Sequence, residues 1–397
     1  MKILPMENSI QHYPWGSSIL LPKKLGVGTI DDTPKAELWM GAHPKAPSMI
    51  TINGKKRSLL DIIGERGNEV LGPHIVDTFG TELPFLFKVL AVEKPLSIQA
   101  HPSKKQAEEG FDREDSEKIP RDAAHRNYKD RNHKPEIICA LDTFEALCGF
   151  KPIDEIISVL SDNSFKVIAE NINELQKNKS EEGLKTFFSD IMNLNTETSR
   201  ELIKKTKEYA QKTSSSESRL VLHLAEQYPE DIGILSPYLL HKITLKAGEA
   251  LFLPAGVLHA YIKGFGVELM ANSDNVLRGG LTGKHIDVKE LLRVLSFKPF
   301  KPKILTGIEK NGEKIYNTNV PDFKLSELII SKNNRYNRTS KEVIEILLCT
   351  EGNILCTCRI NGESMYLQKG TSYLVPAAGC KYTLAGRGTV YKATVPE

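Results

Sequence analysis

From about residue 36 to 150 the apolar positions fall in short runs broken by Pro and Gly, as in LPFLFKVLAVEKPLSIQAHP and HKPEIICALDTFEALCGF. That pattern predicts strands joined by turns. Around residue 152 the period changes. IDEIISVLSDNSFKVIAENINELQ and EEGLKTFFSDIMNLN space their apolar residues by three and four, which predicts amphipathic helices. TSRELIKKTKEYAQK places Glu201 three residues after Thr198, a pairing whose side chains satisfy free amides of a first helical turn, so a helix start is expected there. Helices are expected to about Tyr228. From His241 the strand-and-turn pattern returns in HKITLKAGEALFLPAGVLHAYIKGFGVELMA. FKPFKPKIL, residues 297–305, carries two prolines between several lysines and reads as a linker to a last β-rich unit.

An internal repeat sharpens this division. LKAGEALFLPAGVLHAY (245–261) lines up without gaps on LQKGTSYLVPAAGCKYT (367–383), with Leu, Gly, Pro and Ala recurring in step. A Gly turn, a strand, a Pro turn and a further strand suit a jelly-roll or cupin barrel. The expected fold is therefore mainly β with an α-helical insertion. A metal-bearing barrel is expected from residues 1–151 and 235–298, a helical unit over 152–234, and a second barrel over 299–397. In the register of the repeat His259 matches Lys381, so a metal site is expected in the first barrel alone.

Composition narrows the chemistry. With 397 residues, 40% of them hydrophobic, the chain is long enough for two or three folding units. Lys and Arg total 53 against 50 for Asp and Glu, and the net charge of +3 gives no general attraction for nucleic acid or anionic membrane. No apolar run approaches the roughly 20 residues of a membrane span, and MKILPMENSIQHYPWG lacks the apolar stretch of a secretory signal, so a cytoplasmic location is expected. The six cysteines (139, 148, 349, 356, 358 and 380) show no CxxC spacing. In a reducing compartment they read as small buried hydrophobes, and a bound metal has to rely on His and carboxylate.

Gln99 and His101 stand two residues apart in a predicted strand, on one face. Glu136 starts the strand of HKPEIICAL, and His259 ends the run ALFLPAGVLH. Together they offer two imidazoles, a carboxylate and an amide oxygen, a mixed N/O set that suits zinc, one per chain, and leaves room for water or substrate. The alternative for each histidine is a hydrogen-bonded core or surface position. His133 adjoins Lys134 and Glu136 but, three residues from Glu136, is expected on the opposite strand face. Lys134 and Ser97 share faces with Glu136 and with Gln99 and His101.

AELWMGAHPKAPS, LPFLFKVLAVEKPLSIQAHP, HKPE and LHAYIKGFGVELMANSDNVLRGGLTGKHIDV resemble the type I mannose-6-phosphate isomerase family. The resemblance runs from YPWG to about residue 290 outside the helices; the C-terminal unit resembles the family only in outline. It implies a zinc-dependent aldose–ketose isomerase acting on a small sugar phosphate through an enediol, with Gln99, His101, Glu136 and His259 as zinc ligands. It also implies Glu268 as first choice for the proton carrier, with Asp274 in the same segment, Arg278 as a clamp on oxyanion or phosphate, and Lys134 as a donor or proton carrier. Ser97, Lys88 and Tyr261 follow as substrate contacts. Without a Gly-rich phosphate loop, separate Arg, Lys and Ser side chains are expected to hold the phosphate. The chain is expected to work as a monomer or weak homo-oligomer. Two other readings stay open: a ferrous oxygenase on a cupin barrel, and a sugar-binding module without catalysis.

Overall fold

The computed structural model describes residues 3–338, 342–360, 362–379 and 381–396; Cys380 lies outside them. Among the described residues two antiparallel sheets of ten and eleven strands carry the architecture, and in both the hydrogen-bonded ladder follows an open path. The ten-stranded sheet is built around Phe85–Val92, Glu136–Phe150 and His259–Ala271. The eleven-stranded sheet is built around Lys324–Ile330, Glu345–Cys358 and Tyr382–Thr394.

Two strand exchanges cross the division expected at residues 298 and 299. Leu4–Glu7 pairs with Ser372–Val375 of the second sheet, and Ile304–Leu305 pairs with Ala250–Leu253 of the first. The linker expected over 297–305 thus ends as a strand. The sheets share a core in which Phe87, Val267 and Leu269 meet Leu325, Ile346, Leu374 and Ala393, all buried. Each large aliphatic or aromatic side chain buried this way contributes about 1.5–3 kcal/mol.

Five helices from Ile153–Leu160 to Ser216–Gln227 follow the change of period at residue 152. Their apolar faces bury Ile156, Leu160, Phe187, Leu202 and Leu224 against Ile98 and Leu147 of the first sheet. Two readings need correction. The helix around residue 200 is Thr196–Lys212, and its cap is Asn195, whose side chain accepts from the Thr198 amide, so Thr198 lies inside the first turn. The span 36–150 also holds three helices, Leu59–Val70, Pro73–Phe79 and Lys104–Ser116, the last opened by a capping box of Ser103 and Gln106. Leu59, Ile62, Ile63 and Val70 are buried at helical spacing, a short period hidden among the strand signals around it.

Candidate active site

Alternation along three neighbouring strands decides which side chains reach the site. Phe85, Phe87, Val89 and Ala91 enter the core between the sheets, which turns Lys88 to the opposite face. Ile137 and Cys139 do the same for Glu136, and Val267 and Leu269 for Glu268. Antiparallel register then sets these residues side by side. Glu268 lies opposite Lys88, Lys88 opposite Trp39, and Gln99 between His259 and Arg278.

His101, Glu136 and His259 converge, each only 1% exposed. The Nε2 of His101 is 3.3 Å from Glu136 Oε1, and the Nε2 of His259 is 3.4 Å from Oε2. Each imidazole turns its other nitrogen to a backbone carbonyl, His101 Nδ1 to Asn275 at 2.8 Å and His259 Nδ1 to Val257 at 2.9 Å. A proton on Nδ1 leaves the Nε2 lone pairs facing the carboxylate, the tautomer a metal requires. His101 Nε2 and Glu136 Oε2 are buried with no hydrogen-bond partner. Buried polar atoms rarely lack partners, and two that do, in a cluster of three converging donor residues, fit a cation. Gln99 directs Nε2 toward His259 Nε2 at 3.5 Å. A ligand role requires the amide turned over, so that Oε1 faces the ion.

The electrostatics agree with a metal-binding set. Burial, helped by the Lys134 charge, pushes His101 down to about 4, so its imidazole is neutral near pH 7. Burial alone would raise Glu136, but the Lys134 ammonium, 2.6 Å from Oε1, and His101 hold it well below the ordinary carboxylate value.

Above this cluster opens a cavity of ≈ 610 Å³, large enough for a small phosphorylated sugar. Its wall includes Ser97, Lys88, Lys134, Tyr261, Glu268, Asp274 and Arg278. Lys88 Nζ stands 3.1 Å from Glu268 and 3.7 Å from Glu37, and also lies over the Trp39 ring. Trp39 Nε1 donates to the same Glu37 oxygen. Burial would lower Lys88, but Glu37 and Glu268 reverse the sign and raise it. Glu268 itself is raised by burial against the pull of Lys88. The Tyr261 hydroxyl is buried without a partner, and burial with Glu268 nearby keeps it protonated.

Asp274 is tied to Lys45 at 2.7 Å and to His43 at 3.5 Å. Burial opposes ionisation there, but those contacts hold its carboxyl well below the usual range. Arg278, in the strand Leu277–Gly280, has no carboxylate within ion-pairing distance among the described residues, and burial lowers its pKa. His133 turns away from the site to Asp322, at 2.9 Å. Among the wall side chains not singled out from sequence are Glu37, Trp39 and Lys284. The segments AELWMGAHPKAPS and LTGK contain them, but only strand register and loop folding bring them to the cavity.

The family model described as the catalytic domain of phosphomannose isomerase type I matches residues 3–153, and that of its helical insertion domain matches 159–240. The mannose-6-phosphate isomerase of Salmonella typhimurium is 38% identical over 96% of both chains. The human mannose-6-phosphate isomerase is 35% identical over 93% of this chain and 92% of that one. A solved structure of the Salmonella typhimurium enzyme bound to its substrate, f6p, and zinc superposes with a TM-score of 0.93 at 35% identity over all of both chains.

Proposed function

The chain belongs to the type I phosphomannose isomerase family and is an isomerase, and from that premise we propose that it interconverts mannose 6-phosphate and fructose 6-phosphate through an enediol. One zinc ion per chain is assigned to Gln99, His101, Glu136 and His259. The observation that carries this reading is the convergence of two tautomerically fixed imidazoles on a carboxylate, with His101 Nε2 and Glu136 Oε2 buried and unpartnered. When bound, zinc would supply a fixed positive charge that polarises the O1 and O2 region of the sugar.

The remaining work falls to side chains. Glu268 takes the proton from C2 and, after partial exchange of its carboxyl proton with solvent, delivers a proton to C1; burial raises its pKa toward the range a proton shuttle needs, while Lys88 keeps its ionised form accessible. Lys134 offsets the charge of Glu136 and donates to a sugar oxygen. Tyr261 offers its unpartnered hydroxyl to the same sugar. Asp274, held ionised by Lys45 and His43, orients that wall rather than moving protons. Arg278, Lys284 and Ser97 hold the phosphate, as cavity-lining donors suited to an anion.

Each sheet is read as a jelly roll of the cupin type, with the helical unit over 152–234 inserted into the first. The chain is proposed to work as a monomer or weak homo-oligomer. No helix among the described residues is long and apolar enough to cross a membrane. A cytoplasmic location is part of the proposal. A coupled assay on mannose 6-phosphate in D₂O tests the proposal. Turnover with deuterium at the transferred position is the expected result. Turnover with no deuterium, even after substrate and product have cycled to equilibrium many times, would replace the enediol with a direct hydride shift, and inactivity of zinc-loaded protein would overturn the substrate.

A further inference from the structure

The exit of the helical insertion touches both walls of the cavity. After the helix Ser216–Gln227, the Tyr228 hydroxyl donates to the Pro95 carbonyl at 2.8 Å, two residues before Ser97. Three residues on, Asp231 accepts from the Gly233 amide at 2.7 Å through Oδ1 and from the Thr282 amide at 3.0 Å through Oδ2. Thr282 passes the restraint along, because its hydroxyl accepts from the Lys284 amide at 3.1 Å.

The loop so held is strained. Leu281, 1% exposed, adopts φ 51°, a left-handed conformation that side chains with a Cβ avoid. A strained residue persists only where its surroundings hold it. Here the two segments approach so closely that a Cβ on Gly233 would come within 2.9 Å of the Leu281 nitrogen, and one on Gly280 within 3.0 Å of the Gly233 Cα. On either side of Leu281 lie Arg278 and Lys284, both on the cavity wall.

We propose that Asp231 is a positioning residue for anion recognition: by holding Thr282 it fixes the strained Leu281 turn and so sets Lys284 and Arg278 for the phosphate. The helical insertion thereby takes part in substrate binding without touching the substrate through this carboxylate. The inference rests on the reading of Arg278 and Lys284 as the phosphate-holding pair. Losing an acceptor for a backbone amide in such a turn leaves that amide unpaired and the turn free to relax.

The experiment compares Asp231→Ala, Asp231→Asn and Lys284→Ala in the zinc-loaded full chain, reading kcat, KM, zinc content and the inhibition constant of inorganic phosphate. Asp231→Ala is expected to raise KM and the phosphate inhibition constant together by about tenfold, with zinc content and kcat held within about twofold. Asp231→Asn, which keeps one acceptor, is expected to recover part of the loss. A purely structural role would lower thermal stability, zinc content or kcat and leave the phosphate constant unmoved, which overturns the proposal. If Lys284→Ala weakens phosphate inhibition while Asp231→Ala does not, the positioning role is wrong and the phosphate reading stands. If Lys284→Ala has no effect on phosphate, that reading fails, and the positioning role with it.

Discussion

Glu136 opens the long strand of the first sheet opposite Leu253, and Glu345 opens the long strand of the second opposite Val375. Leu253 and Val375 are the same position of the internal repeat, so the two buried carboxylates occupy corresponding places. Their surroundings differ. Glu136 is paired with Lys134 at 2.6 Å and meets two imidazoles beneath an open cavity, with its other oxygen unpartnered. Glu345 accepts from Tyr382 at 2.8 Å and lies 3.3 Å from Arg338 and 3.9 Å from Lys392, which also pairs with Glu313. The second sheet thus balances two carboxylates with two cations of its own. The contrast teaches that buried charge alone does not mark a metal site. What marks one is a set of lone pairs left without hydrogen-bond partners and aimed at a common point.

Removing a donor from the first site is the strongest way to break the comparison. His259→Ala and Glu136→Ala should each abolish zinc retention and lower activity on the order of 10²–10³-fold or more, read by metal analysis with kinetics. Arg278→Ala should lower kcat/KM by about 10²-fold while zinc stays bound, which separates the metal centre from the clamp. Glu345→Ala should do the reverse. It leaves zinc stoichiometry and specific activity unchanged but costs about 3–5 kcal/mol of stability, because Arg338 and Lys392 lose a buried counter-charge; chemical denaturation reads the difference. The smallest effect concerns pH. The folded pKa of His101, near 4, lies below its ordinary 6.5, so between those values the unfolded chain binds more protons. The stability of zinc-free protein should be full above about pH 6.5 and fall as pH drops toward 4, a trend that thermal melts across that window would reveal.

How much of this was legible in the chain follows from the range of each signal. The two-residue period carries Gln99 and His101 to one face and Lys134 to the face of Glu136, so those pairs could be read locally, while strand pairing brings them to His259. The repeat exposed the second sheet's lack of a ligand histidine at Lys381. Glu37 and Trp39 were not legible, since their meeting with Lys88 depends on a strand pairing between residues about fifty apart. Lys284 depends on the Leu281 turn and on a carboxylate from another region, Asp231. The Thr198 cap was misjudged because Asn195, an equally good cap, stands one turn earlier and wins the amide. The strand exchanges at Leu4–Glu7 and Ile304–Leu305 leave no trace in local pattern, because pairing partners are chosen by tertiary packing.

The most direct test strips the purified protein with a chelator, measures activity on mannose 6-phosphate, and titrates zinc back while counting bound metal. The expected result is loss of turnover on chelation and linear recovery that ends at one zinc per chain. Full activity in the stripped protein, or recovery that requires two zinc ions per chain, would contradict the single site at His101, Glu136 and His259.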